Sequence, residues 1–280
     1  MSWAREGTGV DVAGIIGMDF LWQRILRLDF DRGEVACLRG IPKGSGEPLP
    51  LDRLPRGPAV TLEISGLGRL PFTIDTGCTG QGTIEAGHFA TMVDGAHAAH
   101  VTTARVASAG GVSSRRGALA AGVALGDFRH CDVLFYEGES NLLGLEYLSR
   151  YVVTFDFPGK RMYLRPSARH NNPSHWDLSG ANLSRKDGCT VVSFVLPGSA
   201  AERAGLAVGD LIEMIDSRRT SGRTLWDICR PLREPGTHTL CVERGNHTID
   251  LTLLLERPES TAAAAPAAKA TTEVTKGKRR

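Results

Sequence analysis

No Cys-x-x-Cys pair occurs in the 280 residues, and the six cysteines (Cys37, Cys78, Cys131, Cys189, Cys229, Cys241) lie far apart. That excludes a legible zinc site or redox motif, and the thiols read as small buried hydrophobes. No metal and no other cofactor is implied. No apolar run approaches the ~20 residues that a transmembrane helix needs, and Met1 to Gly14 lacks the apolar core of a signal peptide. The chain as written is therefore expected in the cytosol, or in an exported protein if further residues precede Met1. Charge of one sign is missing too. Thirty-three basic and 31 acidic residues leave a formal net charge of +2, too little to draw nucleic acid or a membrane surface, so neither is expected as a partner.

What is present is ordinary globular material, 41% hydrophobic and 23% charged, long enough for about two domains with real cores. The stretch Leu70 to Gly80 stands out. Phe72 and Ile74 alternate with Thr73 as in a half-buried strand, and the polar turn Asp75-Thr76-Gly77 follows, with Gly77 permitting a backbone approach that a Cβ would block. One carboxylate is thus delivered to the end of a strand. Beside a second carboxylate it would share a proton, so that one member activates water and the other protonates the substrate. Alone, it would simply cap backbone donors in an Asx-type turn. Cys78 lies next to this loop, but the sequence supplies no base to activate its thiol.

The context of Asp75 resembles the retropepsin-like aspartic proteases. It consists of the hydrophobic strand ending in Asp75-Thr76-Gly77, then Leu142-Leu143-Gly144, then Tyr151 to Phe157. The resemblance implies a mainly β chain built on a retropepsin-like acid-protease lobe, with Asp75 as catalytic acid and base, Thr76 as a brace and Gly77 completing the loop. It also implies a Gly-rich flap at Gly110 and Gly111 folding over a peptide substrate, aspartic endopeptidase activity and an acidic optimum.

An internal repeat complicates this reading. Ile15 to Leu21 matches Leu142 to Leu148 in residue type, and Leu28-Asp29-Phe30 falls on Phe155-Asp156-Phe157 at the same offset of 127 residues. Residues 1–40 then read as the C-terminal remnant of a first protease lobe whose own Asp loop would lie before Met1. With one Asp-Thr-Gly loop in the chain, a homodimer or a missing upstream lobe would have to supply the second carboxylate. The rival reading is a catalytically incomplete, protease-like scaffold. Because residues 14 to 38 are tethered beside the surface that pairing would use, a monomer is the favoured expectation.

The Pro- and Gly-rich residues 41–57 read as a linker, 58–166 as the retropepsin-like lobe and 167–176 as a second linker. From 177 to 256 the text resembles the bacterial PDZ family. Val191 to Leu196 is a strand, Pro197-Gly198 ends it, Ser199 caps a short helix that Gly205 terminates, and Gly209-Asp210 turns into the next strand. Leu225, Ile228, Cys229 and Leu232 share one helical face. The resemblance implies a small β/α domain that binds peptide termini or extended segments of protein substrates at a loop formed by Ser179, Gly180, Ala181, Asn182 and Leu183. Asn182 stands where the family favours glycine, which puts carboxylate capture in question but not strand addition. Residues 257–280, rich in Ala, Thr and Lys, read as a disordered tail.

Overall fold

The computed structural model describes residues 13–108, 111–172, 174 and 176–257. The flap tip at Gly110, residues 1–12 and all of the expected tail beyond Arg257 lie outside them. The described chain opens with α1 (Met18–Leu21), β1 (Ile25–Asp29), β2 (Glu34–Leu38), β3 (Glu47–Pro50), β4 (Asp52–Leu54), β5 (Gly57–Ile64), β6 (Gly68–Ile74) and β7 (Gly82–Glu85). It continues through α2 (Ala86–Asp94), β8 (Ala98–Ser108), β9 (Gly111–Ala120), β10 (Val123–Leu125), β11 (Phe128–His130), β12 (Val133–Gly138) and β13 (Leu142–Leu143). Then come α3 (Leu145–Leu148), β14 (Tyr151–Asp156) and β15 (Arg161–Pro166). The rest comprises β16 (Ala181–Lys186), β17 (Cys189–Val195), α4 (Ala200–Arg203), β18 (Leu211–Ile215), β19 (Arg218–Arg219), α5 (Leu225–Cys229), a 3-10 turn at Pro231–Arg233, β20 (Gly236–Arg244) and β21 (His247–Leu255). The fold is mainly β, as expected.

Two sheets share the first core. One has the order β2-β1-β14-β15-β3; the other runs β11-β10-β5-β6-β13-β7-β12-β9-β8, with β4 paired to β5. Phe72, Phe89, Phe135, Tyr147, Tyr151 and Phe155 are its largest buried side chains. The two repeated segments meet in the first sheet. β1 lies antiparallel to β14, with Arg27 opposite Thr154. Those two residues are also 127 apart in sequence, so a local two-fold axis passes between them. The likeness ends at the preceding dipeptides. Leu142 and Leu143 are held between β6 and β7, whereas Ile15 and Ile16 are 74% and 69% exposed.

Residues 41–57 are not a structureless linker. β3 pairs with β15 and β4 with β5. Pro48 and Pro50 do not prevent this because β3 is the last strand of its sheet, where a missing N–H on the outer side disrupts no ladder. The thiols also depart from expectation. Cys37, Cys131 and Cys189 are exposed, and the other three are partly buried.

Residues 167–172 and Ser174 are bonded to the lobe rather than spanning freely from it. The buried guanidinium of Arg150 donates from Nη1 to the His170 and Asn172 carbonyls (3.2 and 2.7 Å) and from Nη2 to Ser174 Oγ (3.3 Å). Ser174 Oγ in turn donates to Gln81 Oε1 at 3.2 Å. The ring of His170 joins a cluster with Phe128, His130, Tyr147 and Tyr151, in which His130 Nε2 meets the Tyr151 hydroxyl at 2.5 Å.

This cluster holds His130 neutral. Burial first, then the Arg150 charge and His170, push its pKa from 6.5 down to about 3. Between those two values the unfolded chain binds a proton that the folded chain refuses, so stability is full above pH 6.5 and is lost as pH falls. Urea unfolding at pH 7 and pH 4.5 is expected to differ by roughly 2 kcal/mol from this residue alone. His130→Phe should flatten that difference, whereas an equal pH dependence in the variant would show that His130 does not carry it.

The second core is smaller and belongs to a sheet ordered β16-β17-β18-β20-β21, with β19 paired to β18. Val192, Ala201, Ile212, Ile228, Leu240, Val242 and Leu253 fill it. Its helices are capped as their sequences dictate. Ser199 Oγ accepts from the Glu202 amide while Glu202 Oε2 accepts from the Gly198 amide, a reciprocal box at the start of α4. Thr224 Oγ1 accepts from the Asp227 amide at the start of α5.

Candidate functional sites

The Asp75 loop is built on β13. The Asp75 amide donates to the Leu143 carbonyl, and the Gly144, Leu145 and Glu146 amides donate to the carbonyls of Gln81, Cys78 and Gly80. The Leu142-Leu143-Gly144 element therefore supports the loop from below. Asp75 itself is half-buried, and its Oδ1 accepts from the Gly77 amide at 2.8 Å. Among the described residues its carboxylate has no other hydrogen-bond partner, and no second carboxylate is bonded to it. Thr76 is exposed and braces nothing among the described residues. A Cβ on Gly77 would meet only Asp75 Oδ1, at 3.1 Å, so the close approach expected at this glycine is to the neighbouring carboxylate. Burial, followed by the Asp75 charge, pushes the Cys78 thiol up to about 11, which leaves it protonated and unreactive near neutrality. Of the flap pair, Gly111 opens β9 opposite Ser108.

The second site lies at the start of the smaller sheet. β16 is the outermost strand, with β17 on one side and no described strand on the other, and α5 packs beside it. The loop that leads into it is buried at Ser179 and pinned from several directions. The Leu196 amide donates to the Gly180 carbonyl and the Ala201 amide to the Ser179 carbonyl. Gly180 has φ +73°, and a Cβ there would meet Ser199 Cβ at 2.3 Å, so only glycine fits. β16 pairs with β17 from Ala181 opposite Val195 to Lys186 opposite Cys189, with a register shift between Asn182 and Leu183. The expected residues Gly180, Ala181, Asn182 and Leu183 thus lie together where the loop becomes the edge strand.

Asp177, not among the residues expected from the sequence, organises this loop. Its Oδ1 accepts from the Ser179 amide (2.8 Å), the Gly180 amide (3.1 Å) and the Ser179 hydroxyl. Burial raises its pKa to about 6 against those three bonds. Its charge also helps to raise Tyr136, which burial pushes up to about 12. The run Asp177-Leu178-Ser179-Gly180 carried the signal, because an Asp two residues before a Ser-Gly pair is an Asx-turn pattern.

Two carboxylates elsewhere in this domain are structural. Asp210 is buried and takes a two-pronged bond from Arg244 (Nε to Oδ1 2.7 Å, Nη2 to Oδ2 2.8 Å), with the Ala207 amide also donating to Oδ2. Burial would raise its pKa, but the Arg244 and Ala207 bonds outweigh that and hold it below the usual range. Asp216 meets His238 Nδ1 at 2.8 Å while His238 Nε2 lies 3.0 Å from the Glu234 carbonyl, so both ring nitrogens are engaged and neither is left for a hydroxyl nucleophile. No cluster of three or more metal-ligating side chains occurs among the described residues.

Residues 191–244 match the PDZ domain family. No curated protein matches the chain. Solved structures that it resembles include the HtrA-type protease AlgW with a tripeptide (14% identity, 84% of this chain and 93% of that one, TM-score 0.30). Another is AlgW with a decapeptide (15% identity, 81% and 85%, TM-score 0.29). A third is the serine endoprotease from Yersinia pestis (16% identity, 85% and 95%, TM-score 0.30). At such scores no residue role carries over from them. Among the described residues Asp75 meets no second carboxylate with which to share a proton, and its Oδ1 is taken by the Gly77 amide. The retropepsin-like resemblance and the expected aspartic endopeptidase activity through the Asp-Thr-Gly carboxylate are corrected accordingly: Asp-Thr-Gly here is a strand-end turn whose aspartate caps Gly77.

Proposed function

We propose that this is a peptide-binding protein whose PDZ domain, residues 177–256, takes an extended protein segment as an added strand along β16. The observation that carries the reading is the position of β16 as an edge strand, with α5 beside it, in the domain that contains the PDZ match. An edge strand offers alternate backbone N–H and C=O groups to a peptide, and side-chain pockets then give the selectivity. The larger lobe, residues 58–166 closed by β1, β2, β3 and their partners, acts as the scaffold on which this groove is mounted.

The test is fluorescence anisotropy of a library of labelled extended peptides, blocked at both ends, against the full chain. Binding in the range of about 1–100 μM is expected, the strength of a weak recognition module. Backbone N–H groups of successive residues point to opposite edges of a strand, so one of Leu183→Pro and Ser184→Pro removes a donor to the ligand and the other breaks the ladder to β17. The first kind should lose binding while keeping the wild-type melting temperature. Full-affinity binding by both folded variants would refute strand addition at β16.

A further inference from the structure

We infer that the PDZ groove of this protein selects internal segments rather than free C-termini, because the chain's own Asp177 carboxylate occupies the backbone amides that would receive a peptide's terminal carboxylate. This rests on the peptide-binding reading above and specifies the class of ligand. Carboxylate capture by such a loop needs consecutive N–H groups left unpaired and pointing to one spot. Here all four successive donors are already used. The Leu178 amide donates to the Leu232 carbonyl at 2.8 Å. The Ser179 and Gly180 amides donate to Asp177 Oδ1, and the Ala181 amide donates to Ser179 Oγ at 3.0 Å. The Ser179 hydroxyl closes the set by donating to the same Asp177 oxygen.

Geometry forbids an easy exchange. Gly180 is pressed on Ser199 with no room for a Cβ, and Ser179 is fully buried, so the loop cannot swing to offer its amides elsewhere without breaking its bonds to Leu196 and Ala201. An incoming carboxylate would have to displace Asp177 into a half-buried surrounding and would meet its negative charge while approaching. An internal segment carries no terminal charge. It needs only the outer edge of β16, downstream of the occupied loop.

The experiment uses the full chain and N-acetylated decapeptides drawn from the binders of the anisotropy screen, each made as a free acid and as a C-terminal amide. Wild type is expected to bind the two forms with equal affinity. Asp177→Ala, which vacates the Ser179 and Gly180 amides, should bind the acid about tenfold more tightly than the amide. Asp177→Asn, which keeps an acceptor oxygen in place, should bind both forms alike and guards against a folding defect in the alanine variant. A wild-type preference of about tenfold for the acid would overturn the inference while leaving peptide binding intact. Equal binding of both forms by a folded Asp177→Ala chain would overturn it too, since the vacated amides would then serve no carboxylate. Should the screen yield no wild-type binder, the unselected library peptides are used instead: acid binding by Asp177→Ala alone would refute internal-segment recognition but support occupation of the nest, and silence of both chains would refute the groove itself.

Discussion

Gly144→Ala is expected to cost the larger lobe about 3 kcal/mol or more, whereas Gly17→Ala, at the equivalent position of the repeat, should stay within about 0.5 kcal/mol of wild type. Both glycines precede a four-residue helix in extended backbone that alanine adopts freely, φ −97° at Gly144 and φ −78° at Gly17. Conformational freedom is therefore not the difference. Space is. A Cβ on Gly144 would meet the Gly80 carbonyl oxygen at 2.2 Å, the Cys78 carbonyl oxygen at 2.8 Å and Cys78 Sγ at 2.9 Å. Two of these are backbone atoms of the Asp75 loop, which is itself bonded to Leu143, Gly144, Leu145 and Glu146, so nothing nearby can yield cheaply. On Gly17 the first atom met is Asp19 Oδ1, the movable end of a side chain. Chemical denaturation of the two variants checks the pair. Equal stability would show that the loop relaxes around Gly144 and that the support of Asp75 by β13 is looser than described.

Arg150→Met should destabilise the lobe by about 3 kcal/mol, since it removes three hydrogen bonds from a buried, charged donor at ~1 kcal/mol each, with the Ser174 acceptor itself buried. The His170 and Asn172 carbonyls and Ser174 Oγ all lose the Arg150 donor, and among the described residues Ser174 Oγ keeps its bond to Gln81. Methionine fills similar volume, so the loss reports the bonds rather than a cavity. The same change should release residues 167–172 and Ser174 from the lobe and make them the first point of cleavage under limited proteolysis, ahead of any loop within either sheet. Because removing the guanidinium also removes a charge that holds His130 neutral, acid sensitivity at His130 should weaken in the variant. Unchanged proteolysis with lost stability would place the role of Arg150 inside the lobe alone.

The sequence was most informative where chemistry is local. The strand that ends at Ile74, the cap at Ser199, the turn at Gly209-Asp210 and the helical face of Leu225 and Ile228 are short-range patterns that the folded chain carries, although Thr73 is buried with Phe72 and Ile74 rather than alternating with them. The failure at residues 47–54 came from judging prolines by composition, when their tolerance depends on the edge position of β3, a property of the assembled sheet. Asp75 misled because a strand-end Asp-Thr-Gly has the same local appearance whether it faces a second carboxylate or merely caps Gly77. Only the spatial neighbours separate the two, and they come from residues distant in sequence. Asp177 was missed for the opposite reason: its partners are adjacent in sequence, but their importance depends on the loop's place beside β16.

The most direct test of strand addition is amide hydrogen exchange across the full chain, with and without a saturating end-blocked peptide from the binding screen. Strand addition predicts new protection in β16, Ala181–Lys186, and at α5, Leu225–Cys229, with the already bonded amides of Ser179 and Gly180 unchanged. Protection confined to the Asp75 loop and the β8–β9 hairpin, with β16 exchanging as in the free protein, would contradict it.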